Sequence, residues 1–418
     1  MRFFLHRYDK SVLSHLCTSP LLTCAEVFRF LLAENQTYET SPPSFIDLIL
    51  AAMPPETILI TGARAPIALE LARSFHRQGH RVIMADSCHW TIARWSNAVA
   101  RYVVLPSPRY QMGQFKQALR TLIREEKITH FIPTCEEAFH VSAAQADFPC
   151  KVWTSDFELL QTLHHKGRFF TDYQHLLPIP ETQPLNTFTT WAQSTDYVFK
   201  PCYSRFATAT IVGKHLTPNH FPDSEKPHWI AQKRIHGKEI CIYSIWDAGQ
   251  IKAYAAYHPL YRAGKGSGIY FEPIAHSATF ERVTAFGKHL SYTGQLCFDV
   301  ILDADDQPYF LECNPRGTSG AHLLHEALAP AFLAEGVYQQ ASEKTFAIQY
   351  AMAILHPFRF FSRQVRAAQD VIFSPKDPLP FFLQALSLLE ISYLKFRHHK
   401  TWLEATTGDI EYNGEALT

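Results

Sequence analysis

Residues 298–316, FDVILDADDQPYFLECNPR, decide how this chain folds. Apolar and polar residues alternate on both sides of a short acidic stretch, the period-two pattern of two strands joined by a turn. Phe298, Val300 and Leu302 fall on one face of the first strand, Asp299 and Ile301 on the other. With Asp305 and Asp306 at the tip, Ala304 faces Gln307 and Asp299 faces Glu312. Directly opposed residues lie roughly 5 Å apart, and like charges there destabilise the pair. Asp305 and Asp306 read as solvated turn acids. Asp299 does not, because Cys297, Phe298, Val300, Ile301 and Leu302 make its strand look buried on both faces.

A divalent cation relieves such a burial of unpaired charge. Asn314, two residues beyond Glu312 on the same face, adds a neutral oxygen. Hard oxygen donors without a nearby Cys or His pair favour Mg2+ over Zn2+ and leave room for water and phosphate oxygens. Mn2+ fits the same donors.

This hairpin resembles the metal-binding hairpin of the ATP-grasp superfamily, which includes D-alanine:D-alanine ligase, biotin carboxylase and carbamoyl phosphate synthetase. The resemblance implies that Asp299 and Glu312 hold one Mg2+ and that Glu312 with Asn314 holds a second. It also implies that Arg316 faces the transferred phosphoryl group or a carboxylate substrate. Upstream positions follow in the family's order. Lys166, in TLHHKGRFF, matches the lysine that opens the ATP-grasp domain, and Lys200, in YVFKPCYSRF, the lysine on the strand beneath the nucleotide. Both would reach ATP phosphates as point charges. A lone lysine is usually a surface residue, but Lys200 ends an apolar strand-like run. In HWIAQKRIHGKEICIYSIW, resemblance implies that the backbone of Gln232, Lys233, Arg234 and Ile235 meets the adenine edge. Glu239 would bind the ribose hydroxyls, though alone it also reads as an exposed acid at a strand start.

One departure stands out. Many relatives follow the second lysine with a glycine-rich loop whose amides cradle phosphate. This chain has Cys202-Tyr203-Ser204-Arg205-Phe206. Either Ser204 and Arg205 supply side-chain donors to phosphate, or these residues pack while the lid closes differently. A second loop, residues 261–268, carries glycines at alternate positions among Arg262, Lys265 and Ser267. It reads equally as a mobile strand connection and as an anion-binding loop over an acyl phosphate.

The expected fold class is α/β and α+β: a Rossmann-like pre-ATP-grasp domain, then an ATP-grasp fold of two α+β subdomains clasping ATP, with extensions at both ends. The boundaries are 1–54 for a helical extension with amphipathic stretches over 21–33 and 44–53, 55–150 for the Rossmann-like domain, 151–330 for the ATP-grasp domain with a lid about 185–235, and 331–418 for a C-terminal extension. From Glu56 the sequence runs strand, glycine turn, helix, strand, the start of a parallel sheet. Ligands sit at the carboxyl edge of such sheets, so Thr61, Arg64, Glu136 and Glu137 are candidates for substrate contact. Glu136 and Glu137 also suit the start of a helix. The adjacent pair His398-His399 cannot share a helix face and makes no metal motif.

With 39 basic and 39 acidic residues, the chain has no basic footprint for nucleic acid. Its nine scattered cysteines suit reduced thiols in a cytoplasmic protein. No continuous apolar stretch of about 18 residues marks a membrane span. The resemblance implies an enzyme that uses ATP and Mg2+ to join a small-molecule carboxylate to an amine through an acyl phosphate, with a homodimer as the family's common state. A bicarbonate-using carboxylase, a nucleotide-binding module without chemistry and a dinucleotide-dependent oxidoreductase remain open. The last is weakly supported, since Ala63, Arg64, Ala65 and Pro66 occupy the turn where GxGxxG would need glycines.

Overall fold

The computed structural model describes residues 55–205, 209–264, 266–334, 336–339 and 344–417. The amphipathic stretches expected within residues 1–54, and Lys265, lie outside the described residues.

The first sheet is parallel, in the order β3-β2-β1-β4-β5, from β1 (Thr57–Thr61), β2 (Arg81–Asp86), β3 (Arg101–Val104), β4 (His130–Ile132) and β5 (Lys151–Val152). Ile58, Leu59 and Ile60 are fully buried, as befits a strand covered on both faces. At the end of β1 the chain turns through Gly62 with φ +77°. A Cβ there would lie 2.3 Å from Thr134 Oγ1, so both the turn and the close approach require glycine. Helix α1 (Pro66–Arg77) follows, with proline in its first turn where the missing N–H costs nothing.

A four-stranded antiparallel sheet, ordered β6-β9-β7-β8, is built from β6 (Thr182–Pro184), β7 (Tyr197–Pro201), β8 (Ile211–Val212) and β9 (Trp229–Lys233). It has its own aromatic cluster, including Phe188, Tyr197, Phe199 and Phe221. The largest sheet contains β10 (Lys238–Asp247), β11 (Gln250–Pro259), β14 (Tyr270–Ile274), β15 (Gly294–Leu302), β16 (Pro308–Asn314), β17 (Tyr338–Gln339), β18 (Phe346–Ala347) and β19 (Gln369–Asp370), in the order β16-β15-β10-β11-β14-β18-β19 with β17 beside β11. Between β11 and β14 a small hairpin pairs β12 (Arg262–Ala263) with β13 (Ser267–Gly268). One apolar cluster joins Ile58, Leu69 and Phe75 of the first layer with Tyr243, Ala253 and Phe271 of the large sheet. A second packs Leu163 and Phe169 onto Ile242, Phe298, Val300 and Phe310.

The deciding hairpin forms with the expected partners at its functional end and a different tip. Asp299 pairs with Glu312, Phe298 with Cys313 and Cys297 with Asn314. Nearer the tip the offset slips by one, with Val300 opposite Phe310 and Leu302 opposite Pro308, so Leu311 is the extra residue of a bulge. The turn spans Asp303 to Gln307 instead of centring on a two-residue Asp305-Asp306 turn. The Asp303 carboxylate closes it by accepting from the N–H groups of Asp305 and Gln307, both at 2.9 Å. The longer turn and the bulge cancel, which is why simple counting still puts Asp299 opposite Glu312.

Four more helices matter below: α2 (Glu137–Ala144), α3 (Lys166–Tyr173), α4 (Leu379–Arg397) and α5 (Trp402–Thr407). Among the described residues, α4 is the one helix long and apolar enough to cross a membrane by length and composition. Reading the sequence for an unbroken apolar run misses it, because Gln384, Ser387, Glu390 and Ser392 interrupt it.

Candidate functional site

Asp299 and Glu312 face one another across the ladder, and two buried lysines converge on Glu312. Lys166 begins α3, where His165 caps the helix by accepting from Arg168 N. Its Nζ donates to Ser204 O at 3.0 Å and lies 3.4 Å from Glu312 Oε2. Lys200, on β7, donates to Leu311 O at 3.2 Å and lies 3.9 Å from the same carboxylate oxygen. The bulge thus has a use: the carbonyl of its extra residue anchors a lysine.

The electrostatics follow from this arrangement. Burial, then the facing Glu312 charge, push the Asp299 carboxyl up to about 7, while the Cys241 thiol eases it with a hydrogen bond. Burial also acts to raise Glu312, but Lys166 and Lys200 outweigh it and bring the group down to about 2. The coupled pair therefore keeps a proton on the Asp299 side. Burial lowers Lys200 to about 8 against the opposing pull of Glu312.

Arg316 connects this site to the parallel sheet. Its Nη2 donates to Asn314 Oδ1 at 3.3 Å, and its Nε lies 3.7 Å from Glu136 Oε1. Arg316 Nε is buried and makes no hydrogen bond among the described residues, its charge being met by this longer ion pair, whereas Glu136 Oε1 also has the Arg205 guanidinium beside it. Such a donor is costly to leave unmade.

Other candidates are more fully engaged. The Gln232 side chain donates to Thr182 Oγ1 at 3.0 Å and to Leu311 O at 3.4 Å. The N–H groups of Lys233 and Arg234, expected to face adenine, are instead spent on Glu181 O and Asp196 O at 2.7 and 2.8 Å. The ladder and its flanks claim them first, because this segment continues a central strand. Ile235 lies just beyond β9. Glu239 is paired with the Arg262 guanidinium, and Ser267 sits opposite Ala263 in the β12–β13 hairpin.

At the carboxyl edge of the parallel sheet, the chain itself supplies the partners expected of a substrate. Arg64 pairs with Asp86 at the end of β2, and also with both carboxylate oxygens of Asp409 at 2.7 and 2.8 Å. Arg205, expected beside phosphate, instead lies 3.1 Å from Glu136 and pairs with Glu411. Glu136 accepts from Tyr412 N at 3.2 Å. Burial raises its carboxyl despite Arg205 and Arg316. Glu137 begins α2, as acids favour helix starts, and it accepts from Thr61 Oγ1 and from the amides of Thr134 and Cys135. A cavity of about 10 Å³, about the room of one water, remains between Thr61, Asp86, Ser87 and Glu137, with Ile410 in its wall.

Sequence reasoning missed this strap, residues 408–415. GDIEYNGE has no periodicity, and the one usable signal was its spacing of acids around buried-type Ile410 and Tyr412. Tyr412 is fully buried, stacked on Phe139 with ring centroids 5.0 Å apart.

Among the described residues no three His, Cys, Asp or Glu side chains gather as a metal-binding group. The donor set at the hairpin is two carboxylates with the Asn314 amide oxygen. It fits a divalent cation by geometry and chemistry: the two carboxylates are directly opposed across the ladder, and Asn314 follows two residues beyond Glu312 on the same strand, a set of hard oxygen donors.

No family model matches the chain, and no curated protein matches it in sequence. Solved structures do resemble it in fold. An N5-carboxyaminoimidazole synthetase from Staphylococcus aureus complexed with ADP superposes with a TM-score of 0.56 at 12% identity, covering 72% of this chain and 85% of that one. A biotin carboxylase from Campylobacter jejuni in a nucleotide complex gives 0.52 at 14% identity, covering 69% and 73%. An L-amino acid ligase from Bacillus licheniformis gives 0.50 at 16% identity, covering 65% and 70%.

Proposed function

This chain carries the ATP-grasp fold, and on that premise we propose that it is an ATP-dependent ligase that activates a substrate carboxylate as an acyl phosphate and transfers the acyl group to an amine. The observation that carries the reading is the Asp299–Glu312 pair, with two buried lysines held at its edge.

Asp299, Glu312 and Asn314 would hold Mg2+, which when bound would neutralise the triphosphate and orient its γ-phosphoryl group. Lys166 and Lys200 are fixed by the carbonyls of Ser204 and Leu311, so their ammonium groups meet phosphate oxygens without reorganising. Ile235 would meet the adenine edge, and Glu239 the ribose once Arg262 releases it. The substrate carboxylate attacks the γ-phosphorus, and ADP leaves. The amine then attacks the acyl carbon, phosphate leaves with the bonding pair, and the amine loses a proton. Arg316, whose guanidinium lies beside the Asn314 amide oxygen, would stabilise the developing oxyanion. Buried Arg205 would act through Glu136, orienting the carboxylate beside Arg316.

The test is phosphate release from ATP with Mg2+ across pools of carboxylic acids, bicarbonate and amines, with mass spectrometry of the products. Release that needs one acid and one amine and yields an amide supports the ligase. Release with bicarbonate alone as the acid moves the assignment to carboxylation, and nucleotide binding without turnover across all pools overturns the catalytic reading.

A further inference from the structure

Helix α4 presents to solvent the face that a soluble helix ordinarily buries. Leu379, Phe382, Leu386, Leu389, Tyr393 and Phe396 follow one another at alternating spacings of three and four residues, a single stripe on the helix. Phe382, Tyr393 and Phe396 are 65%, 62% and 70% exposed, whereas Pro380 and Gln384 on other rows are buried. A helix apolar on its outward side and mostly uncovered among the described residues implies a partner for that side.

The chemistry of the flanks says which partner. Lys395, Arg397 and Lys400 gather at one end, beside the exposed Trp402 of α5, and Lys395 Nζ lies 4.6 Å from the Phe396 ring and 5.2 Å from that of Trp402. The acids of the same stretch are spent internally. Asp377 pairs with Arg73 at 2.8 Å, Glu390 accepts from the amides of His89 and Trp90, and Glu404 accepts from Thr401. The face is therefore apolar and cationic. A second copy docked through this same face would bring apolar surface and the same basic residues but no unengaged acid, whereas an anionic lipid surface offers apolar and negative chemistry within a few ångströms.

We propose that the outward face of α4 and α5 rests on an anionic lipid surface, with the Tyr393, Phe396 and Trp402 rings at headgroup level and the basic side chains on lipid phosphates or carboxylates. The helix lies along this surface and does not cross it. Asp377 ties its start to Arg73, and Glu390, halfway along, ties it to the body at His89 and Trp90.

The full chain is co-sedimented with phosphatidylcholine vesicles and with phosphatidylcholine–phosphatidylserine vesicles. Binding to the serine-lipid vesicles that weakens with salt is expected. Replacing Lys395, Arg397 and Lys400 together by alanine should lower that partitioning roughly 100-fold. The double variant Phe382→Ser with Leu389→Ser should lower it at least about tenfold, from the apolar area withdrawn. Each variant's thermal melting is followed as the check on folding, since all five side chains lie outside the core. A folded wild type that pellets with neither vesicle overturns the proposal. So does equal binding to both vesicles that survives the triple alanine variant, or a dimer by light scattering that Leu389→Glu dissociates while vesicle binding is absent.

Discussion

At the carboxyl edge of the parallel sheet, Asp86 and Glu136 meet Arg64, Arg205 and Arg316, Glu137 takes a hydroxyl and two amides, and residues 408–415 close over them. At the β15–β16 hairpin, two acids meet each other, and the lysines lie 3.4 and 3.9 Å from one of them. The first region has answered its charges from within the chain; the second has left a demand for positive charge. Buried charge persists only where it is compensated, so the first region reads as structure and the second as a place for a ligand. Arg316 touches both, which ties the geometry of the ligand-seeking region to the self-satisfied one.

The widest gap between the regions should appear on Glu312→Gln. It removes the charge that both lysines flank and should cut Mg2+-dependent ATP turnover at least tenfold and on the order of 100-fold, while leaving the melting temperature near that of the wild type. Wild-type turnover in this variant would sink the metal assignment.

Breaking the strap should act oppositely. Asp409→Ala deprives Arg64 and Ser87 of a partly buried partner and should cost about 2 kcal/mol in urea denaturation. If stability were unchanged, the edge would not be self-satisfied and the contrast would dissolve.

Lys200→Ala should weaken nucleotide binding by about tenfold, the worth of one charge-assisted contact, and calorimetry with an ATP analogue would read it. Unchanged affinity would remove Lys200 from the phosphate site.

The smallest effect is a slope. Asp299 titrates near 7 when folded, above its ordinary 3.8, so the folded state holds a proton that the unfolded chain has released. The stabilisation from this group is complete below about pH 4 and is lost as pH rises toward 7. Melting temperatures recorded without Mg2+ between these limits should fall less steeply with pH in Asp299→Asn than in the wild type, and Mg2+ should flatten the wild-type curve. Equal slopes would mean that Asp299 carries no held proton.

Much of the hairpin is legible because strand alternation is local, although Asp299 and Ile301, expected to be buried, are half-buried, since the face they share is covered less completely than that of Phe298, Val300 and Leu302. Its tip was misread since Asp303, which closes the turn with its own side chain, looks in sequence like any other acid. Lys166 and Lys200 were legible by resemblance and order, and the structure brings both to Glu312. The sequence leaves Arg205 between phosphate and packing because its partners, Glu136 and Glu411, lie far from it in sequence and nothing nearby hints at either. The strap and the outward stripe of α4 were missed for related reasons: one has no period, and the other has a period that does not say which way it faces.

The sequence by itself determined the strands and the facing acids, because those follow from periodicity and from counting across a turn within a few residues. Only the tertiary structure decided which charges are already answered. Compensation is a matter of distance in space, and Arg64, Arg205 and Glu136 each find a partner in residues 409–412, more than 200 residues away in sequence and brought within reach only by the folded chain.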